Sequence, residues 1–61
     1  MNYYEIAIIG ANLAPLTYES QCVLNEFEIV AIKLRNKTQN GCIIKAVSKP
    51  DFKTLPVIKR L

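Results

Sequence analysis

The stretch EIVAIKLRNKTQNGCIIKAV, residues 28–47, decides the fold. In its first part Val30, Ile32 and Leu34 share one face, and Lys33 lies on the other. This period of two residues is typical of a half-buried β-strand. A polar segment and a second apolar segment follow, which indicates that the chain turns back on itself. The stretch therefore predicts a β-hairpin.

The tip of this hairpin is expected in the polar segment 35–41, RNKTQNG. Its last two residues, Asn40 and Gly41, form the Asn-Gly pair that two-residue hairpin turns favour. Residues 42–47 are then expected to return as the second strand.

Three further segments have the composition of strands, at 3–9, 17–24 and 55–61. In the second of these, an alternation places Tyr18, Ser20, Cys22 and Leu24 on one face. No segment has a convincing helical stripe. Several short strands separated by turns predict an all-β fold, a small five-stranded open barrel that is OB-like or SH3-like.

The size of the chain limits the kind of site that it can form. Sixty-one residues make one domain with a thin core, so a shallow surface site is expected and not an enclosed cleft. No apolar run is long enough to span a membrane, and the first residues do not predict a secretory signal. We therefore expect a cytoplasmic protein whose two cysteines, Cys22 and Cys42, stay reduced as small, half-buried strand residues.

The charge of the chain is distributed very unevenly. Residues 1–32 contain four glutamates and no lysine or arginine, whereas residues 33–61 contain eight lysines and arginines and one aspartate. A basic half of this kind indicates a polyanionic partner such as a nucleic acid. The alternative is that these charges are ordinary solvated strand faces and turns.

Catalysis within these residues is not expected. The chain contains no histidine, its two glycines stand apart, and its five acidic residues are scattered. These absences argue against most nucleophile–histidine arrangements, a phosphate-binding glycine loop and a paired acid–base site, and the sequence also has no metal-ligating framework.

A binding surface is the remaining possibility. Arg35, Asn36 and Lys37 in the hairpin tip can bind phosphates by ion pairs and hydrogen bonds. Tyr18, at the start of a strand, could stack on a base, and the alternative is that its ring packs in the core. Glu19 is expected to face solvent unless a free hydroxyl donates to it.

Four segments taken in order carry a resemblance to a known family: LAPLTYES at 13–20, IVAIKLRNK at 29–37, GCII at 41–44 and KPDFKTL at 49–55. Their order and spacing resemble the start of PriA (primosomal protein) replication-restart helicases, in the version found in the Campylobacter and Helicobacter branch. The resemblance covers nearly the whole chain.

This resemblance implies that residues 1–61 are a single N-terminal DNA-binding domain of a longer helicase. Such an OB-like domain captures the 3′ end of the nascent leading strand at stalled, forked DNA, without base selectivity. ATP, magnesium and zinc would serve the rest of the parent protein, and none is expected here. The implied partners are DNA, the helicase lobes of the same chain and other primosome proteins, and no membrane.

The resemblance also implies a set of DNA-binding residues. They are Thr17, Tyr18, Glu19, Leu34, Arg35, Asn36 and Lys53, and Lys37 joins them from the hairpin tip. Two departures stand out, because the family usually has aspartate where Glu19 stands and often glycine near Arg35. An SH3-like protein-interaction module and a general RNA-binding barrel remain as alternatives.

Overall fold

Short alternating segments build a single sheet. The computed structural model describes all 61 residues and contains six strands and no helix. The strands are β1 (Asn2–Ile8), β2 (Leu16–Ser20), β3 (Ile29–Leu34), β4 (Lys37–Val47), β5 (Leu55–Pro56) and β6 (Lys59–Arg60). The predicted all-β, OB-like fold class is confirmed, as a curled, open half-barrel. The structure has no helix long and apolar enough to span a membrane.

The segment 55–61 joins the two sides of the sheet, whose order is β5-β2-β1-β4-β3-β6. β5 runs parallel to β2, and β6 runs antiparallel to β3. The chain passes from one edge of the sheet to the other between two consecutive residues. The Val57 amide donates to the Glu19 carbonyl of β2 at 2.8 Å, and the Ile58 amide donates to the Ala31 carbonyl of β3 at 2.8 Å. We call this segment the seam.

The seam explains why the prediction of five strands was wrong by one. The expected last strand, 55–61, divides into β5 and β6, since its first half bonds to β2 and its second half to β3. Pro56 is the last residue of β5, at the end of a strand on the edge of the sheet. Proline has no amide hydrogen to donate to a neighbouring strand, and it is tolerated at such a position because no donor is required there.

The predicted hairpin is confirmed, and its turn lies within the expected tip, 35–41, but at the start of that segment and not at Asn40 and Gly41. The turn is the pair Arg35 and Asn36, between the paired residues Leu34 and Lys37. Both turn residues have positive φ, 51° and 67°, which is the conformation of a type I′ turn. Gly41 lies inside β4 instead, where a Cβ atom would overlap the side chain of Ile6. Glycine at this position therefore leaves room for the buried side chain of Ile6 against β4.

The core lies on the inner face of the curled sheet. It consists of eight buried side chains: Tyr4, Ile6, Ile8, Tyr18, Leu24, Val30, Ile32 and Ile43. The predicted inward faces of β2 and β3 are confirmed at Tyr18, Ser20, Val30 and Ile32, and Lys33 is exposed.

Cys22 does not follow the predicted alternation, because β2 ends at Ser20 and the chain bends before Cys22. Its side chain is exposed, whereas Cys42 is half-buried, and both thiols are free. The side chain of Leu24 is again buried in the core. The backbone amide of Leu24 donates a hydrogen bond of 2.8 Å to the hydroxyl of Tyr4.

Candidate nucleic-acid interface

A surface cavity of about 330 Å³ lies between the start of β2, the hairpin turn and the segment that leads into β5. We call it the hairpin groove. Its lining residues are Pro15, Leu16, Thr17, Tyr18, Lys33, Leu34, Arg35, Phe52, Lys53, Thr54 and Leu55. Five residues of the expected DNA-binding set line it together: Thr17, Tyr18, Leu34, Arg35 and Lys53.

Tyr18 forms the floor of the groove. Its ring is only 3% exposed, and its hydroxyl donates to the backbone carbonyl of Lys33 at 3.0 Å, which ties β2 to the end of β3. Burial raises the pKa of Tyr18, so this hydroxyl stays protonated at neutral pH and remains a donor. The structure thus supports core packing for Tyr18, because a ring this buried has no free face for stacking on a base.

Three cationic side chains surround the groove: Lys33, Arg35 and Lys53. All three residues are exposed, and none forms an ion pair. No aspartate or glutamate belongs to the lining. The groove therefore concentrates positive charge along its walls.

Glu19 stands next to the hairpin groove and not in its lining. Its Oε1 atom accepts a hydrogen bond of 2.5 Å from the hydroxyl of Thr54, which is buried and does line the groove. The Oε2 atom of Glu19 has no hydrogen-bond partner among the residues of the chain. Thr54 thus connects the carboxylate to the groove.

Asn36 and Lys37 are exposed at the hairpin turn and do not line the groove. Their side chains extend the charged and polar surface beyond its rim. Arg35 is the one member of the expected tip set that the turn delivers to the cavity.

A second cavity, of about 460 Å³, lies at the other end of β2, against the seam. Glu19, Ser20 and Cys22 are among its lining residues, with Lys59 and Arg60 from the other wall. Arg60 forms an ion pair with Glu28, so much of the charge on that wall is already neutralised. Although this cavity is larger, the hairpin groove offers more unpaired positive charge to a nucleic acid.

The chain is similar in sequence to two known proteins, the replication restart protein PriA of Helicobacter pylori from strain 26695 and that from strain J99. Each is 41% identical to this chain over 59 residues, which cover 97% of the chain and 10% of the relative. This chain is similar to the N-terminal region of PriA. The chain spans about a tenth of the length of these relatives. No protein-family model and no solved structure matches it.

The resemblance to PriA seen in the sequence is thereby confirmed. Where the resemblance led us to expect glycine, the structure has Arg35 with a φ of 51°. Positive φ is the conformation that glycine adopts most readily. Arg35 thus keeps a glycine-like backbone and adds a cationic side chain at the rim of the groove.

Two exposed residues of the groove that could contact a nucleic acid, Lys33 and Phe52, lie outside the expected DNA-binding set. Lys33 was predicted only as an outward-facing strand residue, and its exposure is confirmed. Phe52 is 63% exposed and lies in the loop that precedes β5, next to Lys53. An aromatic residue beside a lysine in a proline-containing loop was a signal that the sequence already offered.

Proposed function

We propose that this chain is a DNA-binding domain of a replication-restart protein, which holds the 3′ end of the nascent leading strand at a stalled fork and is not an enzyme by itself. The observation that carries the proposal is the hairpin groove, with its three unpaired cations and no carboxylate in its lining. The similarity to replication restart protein PriA supports the same assignment.

The cations of the groove would bind phosphates at the end of the strand. Lys33 and Arg35 approach from the hairpin, and Lys53 approaches from the loop opposite. Phosphate contacts fix the position of a strand but carry no information about the bases. The hydroxyls of Tyr18 and Thr54 already donate within the protein, so neither is free to donate to a base edge. Binding would therefore not depend on the identity of the base.

Glu19 would distinguish a free 3′ end from the interior of a strand. A 3′-hydroxyl can donate to a carboxylate, whereas an internal 3′ oxygen is esterified and carries a phosphate charge nearby. The free Oε2 atom of Glu19 is the acceptor that we assign to this role, with Thr54 holding the other oxygen. A 3′-phosphate would be repelled by the same charge.

The parent protein would be an ATP-dependent DNA helicase, with magnesium and zinc bound outside these residues. In that setting the domain would meet forked DNA, the helicase lobes of its own chain and other primosome proteins. Those lobes would supply the chemistry, and this domain would supply recognition of the strand end.

Binding of labelled single strands that differ only at the 3′ terminus tests the proposal. We expect fluorescence anisotropy to show tighter binding of a DNA strand with a 3′-hydroxyl than of the same strand with a 3′-phosphate. A general RNA-binding barrel would bind RNA and DNA without regard to the terminus, and a peptide-binding module would bind neither. Either of these results would contradict the proposal.

A further inference from the structure

The chain has two phenylalanines, and both are largely exposed. Phe52 is 63% exposed and lines the hairpin groove, whereas Phe27 is 69% exposed and lines neither cavity. A large apolar ring left in water forgoes the stabilisation that burial would give it. At Phe52 the exposed ring stands among unpaired cations, which distinguishes it from an isolated apolar residue on a surface.

The groove contains one other aromatic residue, and it is not available to a ligand. Tyr18 is 3% exposed and its hydroxyl is bonded to the backbone of Lys33. If a base is held in this groove by stacking, Phe52 is the ring that can present a face to it. Sites for single strands combine cations that follow the phosphates with aromatic rings on which bases stack, and the groove has both components.

We propose that Phe52 is the stacking surface for the base at the 3′ end of a single DNA strand. The inference rests on the proposed function and adds a specific contact to it. Lys33, Arg35 and Lys53 bind the phosphates, and Phe52 binds the face of the base. Every base has an aromatic face, so this contact holds purines and pyrimidines alike and accounts for binding without base selectivity.

The first test compares the binding of 3′-hydroxyl strands to three proteins. They are the unsubstituted 61-residue chain, which we call the parent chain, the variant Phe52→Ala, and Phe27→Ala as the matched control. We expect Phe52→Ala to weaken binding about fivefold or more, and Phe27→Ala to leave it unchanged. A strand whose terminal nucleotide is abasic should bind the parent chain less tightly than the intact strand. Phe52→Ala should bind both strands equally, since it has already lost the stacking contact.

The second test is spectroscopic and does not depend on affinity. The chain has no tryptophan, so Phe52→Trp carries a single indole in the groove. We expect its fluorescence to be quenched when the 3′-hydroxyl strand binds, and that of Phe27→Trp to stay unchanged under the same conditions.

The outcomes separate this inference from the proposed function. If the parent chain binds no 3′-ended strand, the proposed function fails and the stacking contact fails with it. If the parent chain prefers the 3′-hydroxyl but Phe52→Ala binds as tightly and still distinguishes the abasic strand, the proposed function stands and Phe52 is not the stacking surface. Circular dichroism checks that each variant retains the β-sheet.

Discussion

At the scale of single residues, the charge of Glu19 is what would separate a free strand end from a phosphorylated one. Glu19→Gln keeps an acceptor oxygen but removes the charge. We expect it to retain part of its binding to a 3′-hydroxyl strand and to lose its rejection of a 3′-phosphate. Hydrogen bonds to charged groups contribute about 1.5–3 kcal/mol, so the parent chain should discriminate between the two ends roughly ten- to a hundredfold. Anisotropy with matched strands measures both affinities.

Glu26→Gln is the control for this prediction, because it removes the same charge from an exposed residue that forms no ion pair. It should discriminate between the two ends as the parent chain does. If Glu19→Gln also discriminates fully, the charge of Glu19 is not the filter, and backbone groups near Tyr18 or Asn36 become the better candidates.

At the scale of elements, the β3–β4 hairpin presents two cations that differ in position. Arg35 lines the groove and Lys37 lies outside it, although only one residue separates them. We expect Arg35→Ala to weaken binding to all DNA sequences alike, because phosphate contacts carry no base identity. Lys37→Ala removes the same charge from the same hairpin and should have a smaller effect. Equal losses in titrations of both variants would mean that the whole tip binds DNA and the groove has no special role.

In the hairpin, the two strands could be predicted from the sequence, but the position of the turn could not. Alternation was enough to predict β3, β4 and their antiparallel pairing, because one face of each strand must be buried. The turn was not predictable from Asn40 and Gly41, since glycine serves both turns and close approaches of two strands. The contact of Gly41 with Ile6 depends on a pairing between β4 and β1 that local sequence does not reveal.

The candidate site shows the same limit. Arg35, Lys53 and Thr17 were predictable as one set, because the resemblance to PriA supplied their order. Phe52 was missed because exposure is a tertiary property, and a phenylalanine is a core residue more often than a surface one. The hydrogen bond between Thr54 and Glu19 joins residues 35 positions apart, which no local pattern indicates.

At the scale of the whole molecule, the seam holds the two edges of the sheet together and contributes a pH-dependent contact. The Arg60 side chain donates hydrogen bonds to Glu28, and this contact, helped by the amide of Asn25, lowers the pKa of the Glu28 carboxyl. A carboxyl whose pKa is lower in the folded state stabilises the fold above its unfolded pKa. That stabilisation is lost as the pH falls through the folded pKa.

We therefore expect urea denaturation to show a free energy of unfolding that falls from neutral to acidic pH, and Glu28→Gln to reduce this dependence. The Arg60 side chain is exposed and that of Glu28 is half-buried, so solvent screens the pair and the effect should be small and weaker at high salt. Glu26→Gln is again the control, and it should keep the pH dependence of the parent chain. An unchanged pH dependence in Glu28→Gln would contradict a stabilising role for the pair.

The positive charge of residues 33–61 predicts how the affinity of the whole molecule for DNA depends on salt concentration. Each phosphate bound by a cation releases counterions, so affinity for DNA should fall as salt rises, with a slope of about −0.7 per phosphate on single strands in a log–log plot. The three cations of the groove predict a total slope on the order of −2.

Arg35→Ala should make that slope less negative by about 0.7, since one phosphate contact is lost. Lys49→Ala removes an exposed charge outside the groove and should leave the slope unchanged. A slope near zero for the parent chain would remove phosphate contacts from the binding mode, and equal changes in the two variants would mean that DNA responds to net charge and not to the groove.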